Sequence, residues 1–376
     1  MTRPSQIVCA VILGWLLILF QWNPAPASED FLQAIHPRAF EFPVDHGDHP
    51  GFQTEWWYYT GNLVSEGNRA FGYQLTFFRV QLKPEPVRSG SPWRSNQVYF
   101  AHFTVSDIKG GAFLTAEQAG RGTMGIAGVS SDKEKVRVFL HGWESSIQGR
   151  SHRLKADSER FGIALELVSQ KPPVLHGDRG LSRKGEGTGQ ASYYYTLSRM
   201  NCRGVLRLDD ERFMVSGTSW MDHEFSSNVL SKDQVGWDWM GLQLSGNQEL
   251  MLYVLRCRDG SIDPFSSGTL ISPDGTSVHL SKETFRMRPT GFWQSKKSGA
   301  QYPSGWQVDI FPYPMSLQVT PNLKNQELVT RQSTQVTYWE GSVAVTGDAG
   351  GERLTGSGYA ELTGYAGEFR LRFEQE

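Results

Sequence analysis

Apolar and polar residues alternate along this chain in short runs, without the three-to-four spacing of helical stripes. Runs at 56–63, 71–80, 97–105, 135–140, 164–168, 193–197 and 204–208 are separated by turn clusters such as Ser65-Glu66-Gly67-Asn68 and Lys109-Gly110-Gly111. The second half repeats the rhythm at 237–244, 249–256, 268–271, 306–310, 317–319, 336–345 and 359–362, with Asp-Gly turns at Asp259-Gly260 and Asp274-Gly275. Only short stretches such as 28–35 look helical. The pattern predicts an all-β protein of up-and-down or meander sheets. An echo divides it: Trp56-Trp57-Tyr58 followed by Tyr73-Gln74-Leu75 resembles Trp237-Asp238-Trp239 followed by Leu252-Tyr253-Val254. Two related domains are expected, 28–215 and 216–376, with 84–93 and 172–189 as surface loops.

The head of the chain changes the picture. Arg3, an apolar run from Ile7 to Phe20 and a small-residue end at Ala25-Pro26-Ala27 form the three-part pattern of a signal peptide, with cleavage expected after Ala27. The run is shorter than the roughly 20 residues of a spanning helix, so a periplasmic or secreted protein is expected. Val8 before Cys9 argues against lipidation there. With Cys9 removed, Cys202 and Cys257 remain; export permits a disulfide, but a chain this long does not need the staple, and two separate thiols are expected. The net charge is −2 with the signs intermixed, which excludes a nucleic-acid partner of the basic-face kind. Gly 40, Trp 12, Tyr 13 and Phe 21 fit sheets joined by tight turns.

Two stretches carry candidate chemistry. Ser219-Trp220-Met221-Asp222-His223-Glu224-Phe225, with Gly236-Trp237-Asp238-Trp239 close behind, sets Asp222, His223, Glu224 and Asp238 among large aromatics. Desolvation there raises a carboxyl pKa and lets a histidine titrate near neutrality, so an acid and a base can coexist. Asp222 and His223 are read as functional and Glu224 as structural. In a regular strand Asp222 and His223 point to opposite faces; both serve one site only if the chain bends. Near the start, Glu55 lies beside Trp56, Trp57, Tyr58 and Tyr59, and period two puts Glu55, Trp57 and Tyr59 on one face as an aromatic wall. The two clusters are expected to border one cavity or the seam between the halves. His46 and His49, in a solvated loop, do not follow a recognised ligand spacing, and no metal is expected. Phosphate-loop and Gly-x-Ser-x-Gly motifs are absent.

These stretches resemble the AttH family and its relatives, the carotenoid 1,2-hydratases known as CrtC, often labelled predicted secreted hydrolases. The resemblance rests on His36-Pro37, Phe40-Glu41-Phe42-Pro43, Asp45-His46-Gly47 and Glu55-Trp56-Trp57-Tyr58-Tyr59-Thr60-Gly61. It continues through the two clusters above, Tyr338-Trp339-Glu340-Gly341 and Gly358-Tyr359-Ala360-Glu361-Leu362-Thr363-Gly364-Tyr365. It implies a pair of lipocalin-like β-barrels and acid–base chemistry without a cofactor. It further implies a site at Asp222-His223, with Trp237 or Trp239 and Tyr253; Val254 and Leu255 follow Tyr253 where the hydratases carry a carboxylate. The first reading is an exported binder of a lipophilic small molecule, an accessory to an ABC-type membrane transporter. Its site residues are Asp222, His223, Asp238 and Tyr253 for any chemistry, and Glu55, Trp57, Tyr59, Trp237 and Trp239 for the ligand. The alternative is a cofactor-independent hydratase or hydrolase acting on an isoprenoid or related apolar substrate.

Overall fold

A computed structural model describes residues 30–84, 95–228, 230–311 and 313–369. The expected signal peptide and most of the 84–93 loop lie outside the described residues. Among those described there is no α-helix, only three 3-10 turns, and residues 30–35 are irregular where a short helix was expected. Among the described residues no helix is long and apolar enough to cross a membrane.

The strands form two large antiparallel sheets, each curled into a nearly closed barrel. In the first, neighbours run from Ala112–Arg121 through Gln97–Asp107, Ala70–Gln81, Thr54–Ser65, Glu211–Ser226, Ala191–Leu208 and Phe161–Ser169 to a meander ending at Ala127–Ser131. In the second they run from Ser277–Ser281 through Ser267–Ile271, Gln248–Cys257, Gln234–Leu244, Glu352–Leu362, Thr337–Ala349, Met315–Pro321 and Trp306–Ile310 to Phe285–Pro289.

The change of sheet comes later than position 215. Glu211–Ser226 pairs on one side with Thr54–Ser65 and on the other with Ala191–Leu208, so it joins the two arms of the first barrel. Only after Ser226 does the chain cross, entering the second sheet at Gln234. The stretches expected at 193–197 and 204–208 are one strand, Ala191–Leu208, irregular between Leu197 and Met200. The 172–189 segment is not a surface loop. Val174–Leu175 and Leu181–Arg183 pair with that long strand, and His176 Nδ1 meets Thr269 Oγ1 of the second barrel at 2.8 Å.

Strand alternation builds three interiors. Trp57, Tyr59, Tyr73, Leu75, Phe77 and Phe103 fill the first barrel. Met240, Leu242, Leu252, Trp306, Leu317 and Trp339 fill the second. The opposite faces of the same strands meet in a third cluster at the seam: Tyr58, Tyr194, Trp220, Trp239, Met251, Tyr253 and Tyr359, with Trp56 and Trp237 against it. Each barrel wall is thus apolar on both sides where the barrels touch. Polar clamps fix the seam. The fully buried Glu249 takes Lys171 at 2.7 Å and Arg199 at 2.5 Å, both from the other barrel. Ser342 Oγ bonds Asn62 Oδ1 at 2.5 Å. Gly72 is needed here, because a Cβ on it would stand 2.5 Å from the Tyr359 hydroxyl.

Candidate active site

A cavity of about 1060 Å³, open solvent at its mouth included, lies between the barrels. Its walls are mainly aromatic: Trp56, Tyr58, Phe78, Trp237, Trp239 and Tyr253. Asp222, Glu224 and Glu361 are the carboxyl groups set into them. The strand Glu211–Ser226 sends residues 220, 222 and 224 to the seam and 221, 223 and 225 into or toward the first barrel, and the whole of that run is buried because both faces are covered. Asp222 Oδ2 accepts from the Tyr194 hydroxyl at 2.8 Å and Oδ1 from Trp220 Nε1 at 2.7 Å. Trp239 Nε1 in turn donates to the Tyr194 oxygen at 3.1 Å. Burial pushes the Asp222 carboxyl up to about 7, and its hydrogen bonds only partly oppose this.

Glu361 faces the same cavity. Its Oε2 accepts from Trp237 Nε1 at 2.9 Å, and burial, reinforced by Asp222 and Glu224, pushes it up to about 7 as well. At the other end Lys184 Nζ pairs with Glu224 Oε1 at 3.3 Å and stands 4.0 Å from the centre of the Tyr253 ring. Burial alone would lower the lysine; Glu224 and Tyr253 outweigh it and hold the ammonium above its usual range. The cavity therefore combines two carboxyls protonated near neutrality, one paired cation and aromatic faces.

The remaining expected residues face elsewhere: the two clusters lie on paired strands, and alternation divides each between the seam and the first barrel. His223, next to Asp222, points into the first barrel. Its Nε2 meets Glu55 Oε1 at 2.8 Å, its Nδ1 the Tyr195 hydroxyl at 2.9 Å, and its ring stacks on Trp57 at 4.8 Å. Burial lowers its pKa despite Glu55, which leaves it neutral. Glu55 also accepts from Arg79 Nε at 2.8 Å and pairs with His49 Nδ1 at 2.7 Å. Burial would raise its pKa, but Arg79, His223 and His49 hold it well below the usual range. Tyr59 bonds His152 and Ser145 in the same interior. Asp238 turns away from Trp237 and Trp239 and is held by Arg256 at 2.9 Å and by the Tyr365 hydroxyl. The physical reason is period two: Trp237 and Trp239 face the seam, so Asp238 between them cannot.

The segment carrying His46 and His49 is not solvated. Asp45 and His46 are buried, Trp57 Nε1 donates to the His46 carbonyl at 2.9 Å, and His46 Nδ1 meets Tyr195 at 2.7 Å. It closes over the first barrel, whose interior is packed rather than open. One potential ligand atom each from His49, Glu55 and His223 lies within 4.8 Å of the others. A cation there would face the Arg79 guanidinium already bonded to Glu55. Cys202 and Cys257 are separate thiols, as expected.

Tyr58, Lys184, Tyr194, Trp220 and Glu361 were not anticipated. The alternation rule was the available signal. Tyr58 and Thr196 lie opposite Asp222 in the ladder and share its face.

The architecture is shared with proteins of known structure. A crystal structure of an AttH-type protein of Nitrosomonas europaea is 31% identical, covers 89% of this chain and all of its own, and gives a TM-score of 0.78. Kievitone hydratase from Nectria haematococca, 13% identical, covers 90% of this chain and 98% of its own with a TM-score of 0.64. CghA in complex with Sch210972, also 13% identical, covers 84% and 90% with a TM-score of 0.55. These last two likenesses concern the fold. A search of curated protein sequences returned no match. The AttH-like family model matches residues 33–365, both barrels and the seam between them, and the chain therefore belongs to the AttH-like family.

Proposed function

We propose that this protein is an acid–base enzyme of the hydratase type, acting on an unsaturated lipophilic small molecule in the cavity between its barrels. One observation carries the reading: Asp222 is buried among aromatic rings, faces the cavity and is held protonated near neutrality. A site built only to carry a lipophile gains nothing from a buried carboxyl, whose desolvation works against folding. A general acid needs a pKa close to the working pH.

In the proposed reaction Asp222 delivers its proton to a carbon of a double bond. Trp237, Trp239 and Tyr58 offer ring faces to the cation that forms, an attraction that strengthens when water is excluded. Water then adds to the cation and returns a proton to the Asp222 carboxylate, so the acid is restored. Glu361, in the same protonation range, is the second candidate donor. The hydratase fold neighbour supports this reading over simple carriage. Carriage of an unaltered ligand, alongside a membrane transporter and outside the cytoplasm, needs the cavity but not the acid.

The experiment is incubation of the purified protein with a lipid extract of its host in water enriched in oxygen-18. The reading predicts a product heavier by one labelled water, with its formation reduced at least about 100-fold in Asp222→Asn. Recovery of a bound lipid unchanged by wild type and variant alike would establish carriage instead.

A further inference from the structure

Tyr58 faces the cavity from the strand beside Asp222. The two are cross-strand partners, which places them side by side on one face of the sheet. The Tyr58 hydroxyl donates its hydrogen away from Asp222, to Glu340 Oε1 of the second barrel at 2.7 Å. Glu340 is fully buried, and among the described residues its other oxygen has no hydrogen-bond partner. The Tyr58 ring is held edge-on to Trp239, with centres 5.3 Å apart and planes at 81°. A phenol has one hydrogen to give. With that hydrogen committed to Glu340, Tyr58 has only oxygen lone pairs left to offer a partner in the cavity it lines. Asp222 is the converse: its oxygens already accept from Tyr194 and Trp220, and in its neutral form it is a donor.

We propose that Tyr58, held by Glu340, is the acceptor that positions water beside Asp222 and makes the cavity selective for lipophiles that bear a hydroxyl group. This rests on the reading of the cavity as a lipophile site with its acid at Asp222. During addition the water directs one hydrogen to Tyr58 while its oxygen forms the new C–O bond. Its other hydrogen passes to the Asp222 carboxylate. One C–H and one C–O bond form, the π bond and one water O–H bond break, and Asp222 ends protonated as it began. The product hydroxyl keeps the hydrogen bond to Tyr58. Tyr58 is thus a catalytic residue, and Glu340 is a positioning residue that acts through it.

The probe pair is geraniol and its methyl ether, which share the hydrocarbon and an acceptor oxygen but differ in the hydroxyl hydrogen. Binding is read by quenching of tryptophan fluorescence, since Trp56, Trp237 and Trp239 line the cavity. Wild type should bind the alcohol about tenfold more tightly than the ether, the worth of one good hydrogen bond. Tyr58→Phe should bring the two affinities together. Glu340→Leu should narrow the ratio too, because it frees the Tyr58 hydrogen to turn inward; a merely structural Glu340 would lower both affinities and leave the ratio alone. Equal binding of the two probes by wild type overturns the assignment of Tyr58 without touching the cavity. Quenching by neither probe overturns the lipophile site itself.

Discussion

Asp222 and His223 are consecutive in one strand, and their side chains occupy opposite kinds of interior. His223 enters a closed network in which Glu55, Arg79, His49 and Tyr195 satisfy one another and charge meets charge. Asp222 enters an aromatic seam with hydrogen bonds but no cation in contact, beside a cavity. The same burial therefore leaves Glu55 ionised and lifts Asp222 to about 7, because Arg79, His223 and His49 together outweigh desolvation in one place and nothing does in the other. Burial alone does not make a carboxyl functional; burial without a counter-charge, next to space for a ligand, does.

The sharpest way to break this contrast is to remove the counter-charge. Arg79→Met leaves Glu55 buried without its guanidinium partner and should destabilise the protein by about 3–5 kcal/mol in urea unfolding. Asp222→Asn, which keeps shape and neutrality, should change stability by less than about 1 kcal/mol when measured near pH 4, where the wild-type carboxyl is protonated, while cutting turnover at least about 100-fold. A stability loss at Asp222 as large as that at Arg79 would mean that both sites are structural.

The pH dependence should carry opposite signs. Asp222 has a folded pKa of about 7, above its unfolded value, so the folded state binds the extra proton and stability falls as pH rises from about 4 toward 7. Asp222→Asn should flatten that slope. Glu55 has a depressed folded pKa, so its contribution is present above its unfolded value near 4.5 and is lost as pH falls below it. His223, also depressed, resists protonation in the fold, so its contribution is lost as pH falls below about 6.5. Urea titrations across pH in wild type, Asp222→Asn and Glu55→Gln separate these contributions.

The smallest expected effect is a tuning one. Tyr194→Phe removes a donor to Asp222 and should move the alkaline limb of the activity profile to higher pH while leaving the maximum rate within a few fold. An unmoved limb would dissociate Tyr194 from the acid.

The sequence made much of this legible. The alternating runs and turn residues predicted two all-β halves, and period two warned that Asp222 and His223 would part. The two aromatic clusters do meet, on paired strands, but alternation divides each between two interiors: Glu55, Trp57 and Tyr59 share a face with His223, and it is the first barrel's packed interior. Trp56 and Tyr58, the residues between them, are the ones at the cavity. Lys184 escaped notice because its segment is rich in Pro, Gly and charge, and only packing against the second barrel buries it. Glu340 and Glu361 were quoted as parts of motifs, yet nothing local tells that Glu340 meets Tyr58, 282 positions away, or that Glu361 meets Trp237, 124 positions away.

The most direct test is to follow the Asp222 carboxyl itself, by carbon-13 NMR of protein labelled at aspartate side chains, with Asp222→Asn assigning the resonance. The account predicts a single titration centred near pH 7, with turnover declining over the same interval as the acid loses its proton. A midpoint near the ordinary aspartate value of about 4 would contradict it, because Asp222 would then be a carboxylate at neutral pH and unable to act as the acid.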